Sequence, residues 1–207
     1  RASALIWMTL LGACRNLGEI QRGEMALNYI SLLEPDNGAP YILLSNIYAT
    51  NGRWNDVKML RETMVQRGVK KRPGCSMIEV NDEIHRFFPR DQWHPDCKAI
   101  YAKLDTLNSQ LKEQGYVPDT RLVLHDVDEE KKKSIICCHS ERLALSFGLI
   151  NTPSKTPLLI VKNLRMCADC HTVFKLLSII LDRTINLKDA NRFHCFHNGQ
   201  CSCEDYW

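Results

Sequence analysis

His139-Ser140-Glu141-Arg142-Leu143-Ala144-Leu145-Ser146-Phe147, Pro157-Leu158-Leu159-Ile160-Val161-Lys162 and Cys167-Ala168-Asp169-Cys170-His171 are the segments from which the fold is read. Ser140 to Phe147 continues a helix. Residues 157 to 162 form a short apolar strand, expected to be covered on both faces. Ala168 to Leu181 returns to helical spacing, and Thr184 to Leu187 is strand-like again. Helix, strand, helix, strand predicts a compact α/β layer for residues 134 to 207.

The same segments carry chemistry. Cysteines three apart at the opening of a helix point to one side, so the Cys167 and Cys170 thiolates can meet one metal ion, favoured by the helix N-terminus. His139, on the other helix, supplies a third ligand. Three protein ligands leave the fourth tetrahedral position for water, which marks a catalytic zinc rather than a closed structural one. Glu141, two residues from His139, is expected off the metal and placed to act on the water. H-x-E followed by C-x-x-C is the zinc deaminase signature, in which the Glu shuttles protons. Met166 stands where many deaminases have Pro before the first Cys. A structural zinc completed by Cys137 or Cys138 is the competing reading. The C-x-x-C-H spelling of haem attachment at residues 167 to 171 is set aside, because it leaves His139, Glu141 and the terminal cysteines without a purpose.

The wider composition agrees with metal. Ten of 207 residues are cysteine, below the ~8–10% of small disulfide scaffolds. Seven of the ten, and four of the seven histidines, fall from residue 137 onward. Disulfides give no reason for histidine to gather with cysteine; metal does. A second set is read from His171, His194, Cys201 and Cys203. Residues 201 and 203, two apart in an extended segment, face one way with Cα atoms roughly 6.6 Å apart. The four make a closed Cys2His2 site that staples a tail otherwise poor in aliphatic residues, with His197 or Cys195 as alternatives for one ligand.

Upstream, an offset of 34 aligns Leu10 with Leu44, Gly18 with Gly52, Ile20 with Trp54, Met25 with Met59, Ala26 with Leu60 and Ile30 with Met64. A helical pattern flanks each aligned glycine, the layout of helix-turn-helix repeats. Residues 1–69 are therefore read as two helical hairpins. About three such units are needed for stability, so further repeats are expected upstream, and the start at Arg1 inside a helical pattern, without Met or a targeting segment, suits a C-terminal piece. Pro73 and Gly74 break the helices. Ser76 to Val80, Asn81-Asp82 and Glu83 to Phe88 predict a β-hairpin, and Ile100, Leu104, Leu107 and Leu111 an amphipathic helix ended by Gly115 and Pro118. His85, His94 and His125 are read as ordinary structural or surface residues. The run Asp126 to Lys133 is a solvated helix start, its acids toward the N-terminus. A net charge of +3 permits contact with a polyanion without demanding it, and no apolar run approaches the ~20 residues of a membrane span.

In combination these residues resemble the DYW domain of plant pentatricopeptide repeat RNA-editing factors. The resemblance rests on Cys201-Ser-Cys-Glu-Asp-Tyr-Trp207, His139-Ser-Glu-Arg-Leu-Ala144, Lys162-Asn-Leu-Arg165 before Cys167-x-x-Cys170-His171, and Arg192-Phe193-His194-x-Phe196 before Gly199. Upstream, Pro73-Gly74-x-Ser76-x-Ile78-Glu79-Val80 is similar to the family's PG box, and the two repeats, with Tyr41-x-Leu43-Leu44-Ser45-Asn46-Ile47-Tyr48, resemble its E1 and E2 motifs. Met77 replaces the usual Trp, and Arg90-Asp91 the frequent Gly-Asp before His94-Pro95.

The resemblance implies an α/β cytidine deaminase-like fold, with helices on a small mixed sheet, preceded by all-α repeats (1–69) and by a PG box and hairpin/helix region (70–133) that gates the site. It implies zinc-dependent conversion of cytidine to uridine at specific sites in single-stranded organellar RNA. His139, Cys167 and Cys170 would bind the catalytic zinc, Glu141 would shuttle protons, and His171, His194, Cys201 and Cys203 would bind a second, structural zinc. RNA would be selected mainly by upstream repeats, with other editing proteins as further partners, in the plastid or mitochondrion, the plastid favoured. A non-catalytic accessory module and a sequence-specific endoribonuclease are the alternatives.

Overall fold

Ile100, Leu104, Leu107 and Leu111 recur at helical spacing and all four are buried, so the helix that bears them (Cys97–Glu113) turns one stripe to a core and the rest to solvent. Burial of side chains of this size contributes roughly 1.5–3 kcal/mol each. In this computed structural model, which describes residues 2–206, the chain forms two compact units. One runs up to Arg72 and includes Leu124–Asp126; the other comprises Pro73–Val123 and the chain from Val127 onward. Arg1, and Trp207 of the Asp205-Tyr206-Trp207 ending, lie outside the described residues.

The first unit holds four helices, α1 (Ala4–Leu17), α2 (Ile20–Leu33), α3 (Ala39–Thr50) and α4 (Trp54–Gln66). Gly18 and Gly52, the pair aligned at offset 34, both take positive φ (69° and 70°) where one helix gives way to the next, a conformation that glycine adopts without steric cost. Leu11, Ala26, Ile30, Tyr41, Leu44 and Ile47 meet in the core. Among the described residues, no helix is long and apolar enough to cross a membrane.

The second unit is built on a six-stranded sheet. Its strands are β1 (Ser76–Val80), β2 (Glu83–Phe87), β3 (Leu158–Lys162), β4 (Ile185–Lys188), β5 (Phe193–His197) and β6 (Gln200–Cys201), in the order β2-β1-β3-β4-β5-β6. Only β3 and β4 are parallel; the other neighbours are antiparallel. With α5 (Cys97–Glu113), α6 (Glu129–Cys137), α7 (Ser140–Asn151) and α8 (Ala168–Ile180), the described residues form eight helices and one mixed sheet, an α/β architecture suited to a deaminase-like domain. The hairpin β1–β2 is an integral edge of this sheet, because β1 pairs with β3 from Ser76↔Lys162 to Ile78↔Ile160.

Three local expectations are corrected. The helix read as continuing through Ser140 is two helices: Cys138 and His139 leave helical geometry, and His139, at φ −64° and ψ 148°, stands ahead of a new helix. Strand β3 is covered on one face only, since Leu158 and Ile160 are buried while Leu159 is 49% exposed. Third, residues 201 to 203 are not one extended segment. The tail pairs onto β4 through β5 and β6, and the strand gives way to turns after Cys201.

Candidate metal centre

Every residue of α7 from Ser140 to Gly148 is buried, so its polar side chains must find partners inside the protein. The break before α7 holds His139 in extended backbone, and β3 leads into Cys167, whose sulfur accepts a hydrogen bond from Cys170 N at 3.4 Å at the start of α8. Two helix N-termini are thereby brought face to face. His139 Nδ1 lies 3.5 Å from Cys167 Sγ and 3.5 Å from Cys170 Sγ. A carboxylate oxygen of Glu141 joins them, and the four donor atoms lie within 4.8 Å of one another.

The second set is also brought together. His171, His194, Cys201 and Cys203 place one donor atom each within 4.8 Å of the others. His171 Nε2 is 3.2 Å from Cys203 Sγ, His194 Nδ1 is 3.5 Å from Cys201 Sγ, and the two sulfurs are 3.2 Å apart. Neither sequence alternative enters this cluster. His197 Nδ1 instead meets Thr184 Oγ1 at 3.1 Å, and the amide of Cys195 donates to Ser202 Oγ. Among the described residues all ten cysteines are free of disulfides.

The donor chemistry of both clusters fits zinc. Bonds of about 2.3 Å to sulfur and 2.0–2.1 Å to nitrogen give a tetrahedron with edges of roughly 3.5–3.8 Å. The observed nitrogen–sulfur separations of 3.2–3.5 Å come within a few tenths of an ångström of the shorter edge, while the Cys201 and Cys203 sulfurs, 3.2 Å apart, would part by roughly half an ångström on binding zinc. The electrostatics are uneven: burial raises the Cys201 thiol to about 11, and against the effect of burial Cys170 raises His139, while Cys170, His171 and His194 shift toward the metal-binding form. Burial disfavours a Cys170 thiolate, yet the hydrogen bond from Cys167, with help from Arg142 and His139, brings its pKa down to about 6. That same bond, ahead of burial, pushes the Cys167 thiol up. Burial, reinforced by His194, lowers His171 to about 4, and burial likewise lowers His194. The imidazoles of the second cluster are therefore neutral at pH 7, the form that ligates metal.

Several side chains that the sequence reading did not single out hold this arrangement. Lys162 Nζ lies 2.7 Å from Glu141 Oε2 and 3.1 Å from Ser140 Oγ, and Ser140 Oγ is 2.9 Å from Ser76 Oγ on β1. Burial alone would raise the pKa of Glu141; the Lys162 ammonium and then His139 overcome it and hold the carboxyl at about 2. Asp189 receives Met166 N on one oxygen, and Asn191 N and Arg192 N on the other, and faces His194 Nε2 at 3.4 Å. It leaves His194 Nδ1 toward the sulfurs, the arrangement of a carboxylate that orients a metal-binding histidine. Tyr116 and the amide of Asp119 bond the Asp169 carboxylate, which also pairs with Arg142. One signal was available for Lys162: it follows Leu158 and Ile160 in period two, the phase that points into the core.

Residues 115–207 match the DYW family of nucleic acid deaminases, and residues 17–79 match the E motif. The C-terminal part of this chain belongs to the DYW family. The chain is 47% identical over 205 residues to pentatricopeptide repeat-containing protein At4g21065 of Arabidopsis thaliana, covering 99% of the chain and 34% of that relative. It is 48% identical over 207 residues to the mitochondrial pentatricopeptide repeat-containing protein At5g46460 of the same plant (100% and 29%). To the chloroplastic At3g63370 it is 48% identical over 206 residues (99% and 22%). The chain thus spans about a third or less of the length of these relatives.

Proposed function

We propose that this chain deaminates cytidine to uridine at chosen sites in single-stranded organellar RNA, using one zinc held by His139, Cys167 and Cys170 and a second held by His171, His194, Cys201 and Cys203. The observation that carries the reading is the convergence of His139 Nδ1 and the two sulfurs with the carboxylate of Glu141. Zinc bound at the first cluster supplies the Lewis acidity that makes a water nucleophilic near neutrality. Glu141 takes a proton from the attacking water, delivers it to N3 as the C4–O bond forms, and carries the next to the departing ammonia, so that cytidine and water yield uridine and ammonia. The second cluster pins the β5–β6 hairpin to α8 and thereby fixes the N-terminal turn of the helix that bears Cys170.

The target base must leave its stack to reach a buried carboxylate, which favours single-stranded RNA. With a net charge of +3, affinity and site choice are assigned to upstream repeats of a longer protein, as in other helical-repeat RNA readers. The relatives named mitochondrial and chloroplastic support one of these two organelles. A gating role for residues 73 to about 133 is supported by Ser76, which reaches Ser140 from β1, and by the bond from Arg90 N to Cys138 O, next to His139.

Glu141→Ala tests the reading. The variant is expected to keep two zincs per chain by elemental analysis and to form no uridine on an RNA that the parent edits. Undiminished uridine formation would refute it, and cleaved rather than edited RNA would point to a nuclease.

A further inference from the structure

Lys162 closes an otherwise apolar strand with its ammonium inside the protein; its side chain is 9% exposed, and that of its partner Glu141 is fully buried. The sheet register places Ser76 of β1 directly across from it, and the hydroxyls of Ser76 and Ser140 continue the chain of polar contacts from Lys162. Glu141 Oε2 takes Lys162 at 2.7 Å and Ser140 Oγ at 3.2 Å. Glu141 Oε1, equally enclosed, has no hydrogen-bond partner. The two oxygens of one carboxylate are thus unlike: one is tethered from the side of the sheet, the other is left over.

A purely structural account explains this poorly. A buried ion pair stabilises little compared with apolar residues of the same size, and breaking it leaves an uncompensated charge. What such a pair does supply is a fixed direction. We propose that Lys162, braced through Ser140 by Ser76, is a positioning residue for proton transfer: it holds Glu141 Oε2 so that Oε1 is the atom that receives and returns the proton. The inference rests on the deaminase reading above and assigns a part in it to the β1–β3 edge of the sheet. The reaction needs Glu141 in one orientation through two proton transfers, and a carboxylate free to rotate would lose it between them.

The test measures single-turnover rate, RNA affinity and zinc content for the full protein on a single-stranded RNA that the parent edits. Lys162→Met is expected to lower the rate about 100-fold, the range of a misplaced proton-transfer group, with RNA dissociation constant and zinc stoichiometry within twofold of the parent. Lys162→Arg, which keeps the charge, should recover at least a tenth of the parent rate. A Lys162→Met rate within threefold of the parent, or a loss matched by loss of zinc, overturns the proposal. Glu141→Gln run alongside separates the two ideas: if it is active the deaminase reading fails, and if it is inactive while Lys162→Met is parent-like only the positioning role fails. A melting cycle reads the pair without activity. Each single variant should melt roughly 6–20 °C lower, and the Lys162→Met/Glu141→Gln double variant should regain at least half of that; no regain overturns the proposal. Should Lys162→Met not fold, Ser76→Ala decides. A rate loss of threefold or more at unchanged RNA affinity upholds the brace, and an unchanged rate overturns it.

Discussion

Asp169→Ala removes the carboxylate at the centre of a buried knot, and its cost can be worked from the contacts. The Asp169 and Arg142 side chains are each 2% exposed. Asp169 receives the Tyr116 hydroxyl at 2.8 and 2.7 Å and the Asp119 amide at 2.8 Å, besides its pairing with Arg142. Alanine would leave the Arg142 guanidinium in the interior without its counter-charge. Loss of one member of a buried pair costs about 3–5 kcal/mol, which at ~2–4 °C per kcal/mol for a domain of this size lowers the melting temperature by roughly 6–20 °C. The consequence extends to metal, because Arg142 follows Glu141 on α7 and Asp169 lies between Cys167 and Cys170. Their pairing ties together the two helix starts that carry the first cluster. Calorimetry and zinc analysis on the purified protein should show both the lower melting temperature and a loss of bound zinc. Arg142→Met/Asp169→Ala, which removes both charges, should melt above Asp169→Ala. A melting temperature for Asp169→Ala within about 2 °C of the parent would refute the reasoning.

Further outcomes follow from packing and from the second cluster. A Cβ on Gly148 would meet Ile78 Cδ1 at 2.6 Å and both Leu158 methyls at 3.2 Å, so Gly148→Val should destabilise by about 1–3 kcal/mol through overpacking of α7 on the sheet, measured by denaturant titration; an unchanged midpoint would contradict the close approach. His194→Ala should lower the zinc content by at least one ion per chain and loosen the β5–β6 hairpin in hydrogen exchange. Cys195→Ser and His197→Ala should leave zinc content unchanged, and a loss in either would reopen the ligand assignment.

The parts of the sequence governed by period and spacing were legible. The hairpin at Ser76–Phe87, the stripe of α5 and the helix, strand, helix, strand order from Ser140 to Lys188 follow from local pattern, because alternate residues of a strand and every third or fourth residue of a helix answer to the same burial; β5 and β6, in a polar tail, do not. The grouping of the His and Cys donors was legible too, since C-x-x-C spacing and the His/Cys pattern carry donor chemistry on the surface of the sequence. What supports the clusters was not. Lys162, Asp189 and Tyr116 act on residues 21, 5 and 53 positions away, and nothing local marks a lysine or aspartate as a buried partner rather than a solvated one. The break at Cys138–His139 was missed for a related reason: the helical pattern on either side is continuous, and what interrupts it is the need to turn His139 toward two sulfurs that arrive through β3.

The adjacency of Cys170 and His171 on α8 makes the two clusters one mechanical unit. Successive residues of a helix point about 100° apart, so the same turn sends a sulfur toward His139 and an imidazole toward the tail. The tail cannot be held by burial alone, since the residues after Cys201 run through turns and Glu204, Asp205 and Tyr206 are exposed. Its attachments to α8 include His171 to Cys203, His171 Nδ1 near Asp205 at 3.7 Å, and the surface pair of Lys175 with Asp205, and an exposed pair of that last kind contributes only about 0–1 kcal/mol. The second cluster adds to the bonds from Arg192 to Tyr206 O and between Ser202 and Cys195 that also fix the C-terminal segment. Because it acts through the residue next to Cys170, a rotation of α8 that frees His171 also moves Cys170 relative to His139. Zinc bound at the second cluster, as proposed, would thus make the geometry of the buried carboxylate site depend on Cys201 and Cys203.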